Sequence, residues 1–225
     1  MRATQYGVTA VYSRGLARKS LARLAWHGLS ILLLTAAVAG FLLTKSSLLL
    51  PSLLVAVPTG VVVGLGLRRE NILYLKAHAG IVAEERVAKA LSKLPVVAVV
   101  NGVLLHRGDV DHVVLGPMVA AIETKHGSGQ LSLDASGVLC VRGRRLPRDP
   151  VAQAAASAVA VGKILGRPAV AVLVVVDAAG PVVRVGNVYV TSLANINGCL
   201  AQLPQTLTAD VAKSLVHLLP VAQAR

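Results

Sequence analysis

Asp111, Glu123 and Lys125 are the residues of this 225-residue chain whose types and spacing lend themselves to chemistry. Asp111 stands at the start of one apolar run, residues 113–115, and Glu123 and Lys125 close the next, residues 119–122, with Gly116-Pro117 as the turn between them. Two neighbouring strands are the expected form. Side chains alternate across a strand, so Glu123 and Lys125 share one face, and a hairpin pairing brings Asp111 beside them. Two carboxylates suit a hard divalent cation, Mg2+ or Mn2+, and a lysine nearby holds a water or offsets extra negative charge on a phosphate. An acid-x-lysine pair on a strand is ordinarily a solvated face. Here the flanking runs are apolar enough for central strands, where charge is seldom placed without a partner or a function.

The elements that must position these residues follow from local pattern. Residues 80–94 have helical spacing, with Glu84, Val87, Ala88 and Leu91 on one stripe and Glu85, Arg86, Lys89 and Lys93 facing elsewhere. Glu84 therefore points inward with the apolar stripe, whereas an acid early in a helix is otherwise explained by the macrodipole. Residues 96–100 read as a strand buried on both faces, as do residues 170–176, with a shorter one at 188–190. Gly127-Ser128-Gly129 is expected to turn the chain into a strand at 130–133, and residues 134–137 into another at 138–142. Arg142, Arg144, Arg145 and Arg148 then cluster as either a solvated basic hairpin or a phosphate-contacting rim. Asp149-Pro150 has the form of an N-cap followed by proline at the first helical position, opening an alanine-rich helix to about Leu165. Residues 192–225 read as one or two helices, the last capped by Thr208 or Asp210.

Four pieces resemble the nuclease-related domain (NERD) family of the PD-(D/E)XK nuclease superfamily. They are residues 80–84 (Gly-Ile-Val-Ala-Glu), 110–117 (Val-Asp-His-Val-Val-Leu-Gly-Pro), 122–125 (Ile-Glu-Thr-Lys) and 149–153 (Asp-Pro-Val-Ala-Gln). They stand in the family's order and cover about residues 78–170. The chain departs from the family pattern at Ala83 (usually glycine), His126 and Asp149 (often asparagine), and lacks a usual tryptophan. The resemblance implies a restriction-endonuclease-like α/β domain, a mixed central sheet flanked by helices. It also implies a metal held by Asp111, Glu123 and Glu84, catalysis by these three with Lys125 and Gln153, and hydrolysis of DNA phosphodiester bonds. The opposing class is a catalytically inactive membrane-bound nucleic-acid-binding or interaction module.

Composition sets this domain on a membrane. Mean hydropathy is +0.68, aromatic residues make up only 3%, and no side chain in residues 24–43 or 48–67 carries a fixed charge. Each stretch is about the 20 residues that cross a bilayer as a helix. The expected organisation is a basic cytosolic tail at 1–23, a two-helix transmembrane hairpin at 24–67, the nuclease-related domain at 78–190 and a helical extension at 191–225. Only Thr44-Lys45-Ser46-Ser47 lies between the spans. Arg18, Lys19 and Arg23 before the first span, and Arg68 and Arg69 after the second, place both ends in the cytoplasm at the plasma (inner) membrane. A buried helix pair and a signal peptide cleaved after Ala37-Val38-Ala39 are the competing readings, disfavoured by the small size of the chain and by the second apolar stretch. Ala36 with Gly40, and Gly60 with Gly64, offer small-residue faces for helix contact or homo-oligomer formation, and Pro51 and Pro58 are expected to kink the second span or shorten it.

The net charge of +13 divides into +7 over residues 1–75 and +6 over residues 76–225. The first share suits anionic membrane lipid, the second nucleic acid. With only Tyr74 and Tyr189 as aromatics after the spans, backbone reading of a duplex fits better than stacking on single strands, and DNA is the expected partner ahead of RNA. Cys140 and Cys199 form no zinc-binding pattern. His112 and His126 flank the candidate site as secondary candidates.

Overall fold

The computed structural model describes residues 3–44, 49–106 and 108–221, with the backbone alone at residues 12, 41–44 and 49–57. The expected connection Lys45-Ser46-Ser47 lies outside the described residues. The chain divides into two compact units, Ser13–His78 and a second made of Met1–Tyr12 with Ala79–Arg225.

The Ser13–His78 unit is built from most of α1 (Val11–Thr44) and the larger part of α2 (Leu49–Leu91). Arg23 Nη1 lies 3.3 Å from Glu70 Oε1, and a Cβ on Gly66 would touch the His27 ring at 3.4 Å. Positions rising along α1 thus face positions falling along α2, so the two helices run antiparallel there. Within α1, Ser13–Gly40 is long and apolar enough to cross a membrane, with mean hydropathy 1.6 and none of its apolar window buried. Trp26, Leu32 and Leu33 are among its exposed side chains, and the Ser30 and Thr35 hydroxyls donate to carbonyls one turn back, at Trp26 and Ile31. Its length and composition are those that a membrane span or a signal-type segment requires. Among the described residues it is the one such helix; the second span expected at 48–67 begins outside them. One expectation changes here. Residues 70–78, read as a polar connector, continue α2 because Glu, Leu, Lys and Ala are good helix formers with no breaker among them. Pro58 lies inside that same helix.

In the second unit the sheet runs β1 (Thr4–Gly7), β2 (Ala98–Leu104), β3 (Asp109–Leu115), β4 (Val119–Leu133), β7 (Val170–Ala179), β9 (Val188–Ser192) and β8 (Val183–Val185). β5 (Leu139–Val141) pairs with the end of β4, and β6 (Arg144–Arg145) with β5. The pairs β1–β2, β4–β7 and β7–β9 are parallel; the others are antiparallel. The mixed α/β sheet flanked by helices is thus the observed class. Its alternating side chains make two cores. Val113, Leu115, Ala121, Leu173 and Val175 pack with Ala154, Ala158 and Val161 of α3 (Pro150–Leu165) and with Ala212 and Leu215 of α5 (Ala209–Leu215). Val99, Val114, Ala120, Ile122 and Val172 pack with Ala83, Val87 and Leu91 of α2 and with Ile196 and Cys199 of α4 (Ile196–Ala201). Fully buried side chains such as Ile122 and Leu173 stabilise the fold by roughly 1.5–3 kcal/mol each.

Two further expectations are corrected. Residues 1–23 are not a tail throughout, since Thr4–Gly7 pairs in parallel with residues 98–101 as an edge strand. In the expected helical extension at 191–225, α4 and α5 contribute to the two cores and belong to the same compact unit. Gly127-Ser128-Gly129 makes no turn. β4 runs on through it beside β7, and the register moves from Lys125↔Val175 to Ser128↔Asp177, leaving two β4 residues opposite one on β7. That is a bulge, which bends the strand and re-aims side chains next to it.

Candidate active site

The β3–β4 hairpin positions the candidate residues. Its pairing runs from Leu115↔Val119 to His112↔Ile122, closed at the turn by the Gly116 N–H donating to the Met118 carbonyl at 3.0 Å. One step beyond the last pair stand Asp111 and Glu123. The Thr124 backbone N–H donates to Asp111 Oδ2 at 2.6 Å, fastening the carboxylate of one strand to the backbone of the other. Glu123 is 2% exposed; its Oε1 accepts from Lys125 Nζ at 2.6 Å, while its buried Oε2 has no hydrogen-bond partner. The two-residue spacing puts both side chains on one face, as expected.

Electrostatics join Glu84 to this group. The Asp111 carboxyl is held well above the usual carboxylate range, first by burial and then by the negative charges of Glu123 and Glu84, against the lowering effect of the Thr124 N–H and Lys125. Glu123 is also raised, by burial first; Lys125 opposes this and Asp109 adds to it. Glu84, Asp111, Glu123 and Lys125 thus form one interacting cluster, with more negative than positive charge. Among the described residues, no group of three or more His, Cys, Asp or Glu is assembled to hold a metal ion. Asp111 with Glu123 is nonetheless a donor pair of the kind that holds magnesium when water and substrate oxygens supply the rest. The unpartnered Glu123 Oε2 and the repulsion on Asp111 fit a cation there.

The other expected residues lie around this centre. Gln153 is exposed on the first turn of α3 and lines a cavity of about 550 Å³ with His106, Asp109 and Ser157, not with Asp111 or Lys125. Val141↔Arg144 closes the β5–β6 hairpin through Arg142 and Gly143, both at positive φ (54° and 70°), the conformation a two-residue hairpin turn requires. This hairpin packs close to the bulge: a Cβ on Gly129 (φ 122°) would lie 2.9 Å from Arg142 Cβ, so glycine is required there. Arg145 is engaged by Asp134, with Nε 2.8 Å and Nη2 2.7 Å from Oδ2. Arg142, Arg144 and Arg148 are exposed.

Some neighbours were not anticipated. Asp109, two residues before Asp111, acts on Glu123, and the Asp-x-Asp alternation was the available signal. Asp177 at the end of β7 receives Arg86 at 2.6 Å and the exposed His126 at 3.3 Å, so His126 turns to a different carboxylate from the central ones. His112 is fully buried with Nδ1 2.8 Å from Asn101 Oδ1, its cross-strand partner. Oδ1 only accepts, so Nδ1 carries the ring proton, and burial keeps the ring neutral with its pKa lowered to about 3.

A mixed-sheet α/β domain carrying a carboxylate–lysine cluster at the open end of a central hairpin defines the class. Residues 79–185, a little under half of the chain, match the family model of the nuclease-related domain, NERD, and this supports placing the domain with that family. No curated protein and no solved structure matches the chain.

Proposed function

We propose that the protein is a membrane-anchored, metal-dependent nuclease-type hydrolase of DNA phosphodiester bonds. The observation that carries this reading is the fastening of Asp111 to the Thr124 N–H beside the Glu123–Lys125 pair. A bound Mg2+ or Mn2+ supplies charge for the phosphate and a more acidic water. Asp111 and Glu123 are the residues to hold it, and Glu84 adds negative charge at Asp111. Lys125, 32% exposed at its side chain, reaches solvent from the buried glutamate, where it orients a water and offsets charge that develops on the phosphate. Hydrolysis then forms one phosphorus–oxygen bond to water and breaks the ester bond, with the leaving oxygen taking a proton. Gln153 and Arg142, Arg144, Arg145 and Arg148 contact the DNA backbone on either side. The α1 span, with a second span at 48–67, anchors the domain on the cytoplasmic side, and the small-residue faces permit homo-oligomers.

A second reading, a catalytically inactive nucleic-acid-binding module, is favoured by the lack of a three-residue ligand set among the described residues. Titration calorimetry of the full-length protein with manganese separates the two. The hydrolase reading expects saturable binding that Asp111→Asn and Glu123→Gln abolish, and the inactive reading expects none.

A further inference from the structure

α3 ends at Gly166 in the left-handed conformation (φ 62°), and the N–H groups of Gly166 and Arg167 both return to the Gly162 carbonyl. The chain folds back so closely that a Cβ on Gly162 would lie 3.0 Å from the Arg167 carbonyl oxygen. This cap fixes the backbone of Arg167 next to Lys163, on the wall of a cavity of about 640 Å³. The β8–β9 hairpin supplies Arg184 and Tyr189 to the same cavity. They are cross-strand partners, with the guanidinium 5.5 Å from the ring centroid and its Nε donating to the Gly186 carbonyl at 3.1 Å. Among the described residues no acidic side chain lines the cavity, and neither the Lys163 nor the Arg167 side chain has an ion-pair partner.

We propose that this cavity binds a nucleotide, a nucleoside mono- or diphosphate, at a site separate from the carboxylate–lysine cluster. Lysine and arginine near a helix C-terminus complement its carbonyls, which accounts for Lys163 and Arg167. It does not account for a third cation, held against a ring by a backbone carbonyl, on the same cavity. Three cations without a counter-ion select an anion, and the arginine forks match phosphate oxygens two at a time. The Arg184–Tyr189 pair offers the planar guanidinium and aromatic surface on which bases stack. The volume falls within the roughly 300–1,000 Å³ of small-molecule sites. Separation follows from register. The cavity includes Val170 and Ala171, opposite Ala120 and Ala121, whereas Lys125 stands opposite Val175, about 13 Å further along the strand.

The test is equilibrium dialysis of the full-length protein against labelled AMP and ADP, beside inorganic phosphate and a 5′-phosphorylated oligonucleotide. Saturable nucleotide binding is expected, weakened about tenfold or more by Arg167→Ala and by Arg184→Ala, as for loss of a charge-assisted hydrogen bond, at unchanged Tm. Lys125→Ala is expected to leave it intact, which keeps this site's result independent of the hydrolase reading. Absence of saturable binding overturns the proposal. So does phosphate binding as tightly as nucleotide, binding confined to the oligonucleotide, or loss of binding in Lys125→Ala but not in the arginine variants.

Discussion

Lys125 Nζ lies 2.6 Å from Glu123 Oε1, joining a side chain one-third exposed to one that is 2% exposed. The lysine therefore connects the buried carboxylate to solvent. Lys125→Ala is expected to lower the DNA cleavage rate by roughly a hundredfold to a thousandfold, the effect of losing one preorganised electrostatic donor. Rates measured at saturating metal check this, with manganese affinity as the companion reading that should change little.

The raised carboxyls give stability a definite pH dependence. Asp111 and Glu123 bind protons more tightly folded than unfolded, so folding takes up protons between the two values and stability falls as pH rises through that window. Asp111→Asn keeps an acceptor for the Thr124 N–H while removing the charge. In metal-free buffer it is expected to raise Tm at pH 7–8, with a smaller gain at pH 4. Melting curves across that range check the sign, and an equal shift at every pH would contradict it.

The basic hairpin is not uniform. Arg145 is committed to Asp134, whose own pKa is lowered by the Val138 N–H and by Arg145, whereas Arg144 is exposed at the β5–β6 turn. Arg144→Ala is expected to weaken DNA binding similarly across sequences and reduce the salt slope by about one. Arg145→Ala is expected to do less. Binding isotherms at several salt concentrations measure both.

The charges around the apolar stretches predict a topology that labelling can test. A cysteine introduced at Ser46 or Ser47 is expected to react with an impermeant thiol reagent from outside intact cells, while a C-terminal tag stays protected. The opposite pattern would place the domain outside.

Local signals made much of this architecture legible. The Gly116-Pro117 turn between two apolar runs specified the hairpin, and with it the meeting of Asp111 with the Glu123 strand. Asp149 and Pro150 marked the start of α3, where Asp149 Oδ1 accepts from the Ala152 N–H at 3.0 Å. What was hidden depends on distant partners. Gly127-Ser128-Gly129 has turn composition, yet β7 pairs with β4 on both sides of it and holds the strand through a bulge. Thr4–Gly7 becomes a strand only because β2 offers an edge, and nothing in its four residues announces it. Asp177 joins Arg86 and His126 across 91 and 51 positions of sequence, a contact no spacing rule reaches.

Cleavage of plasmid and linear DNA by the purified full-length protein tests the central claim most directly. The arms are magnesium, manganese or chelator, run beside Asp111→Asn and Glu123→Gln. The expected result is cutting by the wild type in at least one metal, none in chelator, and none by either variant. A wild type that cuts in no metal, or variants that cut as well as it does, would contradict the assignment of the Asp111–Glu123–Lys125 cluster as a phosphodiester-hydrolysing site.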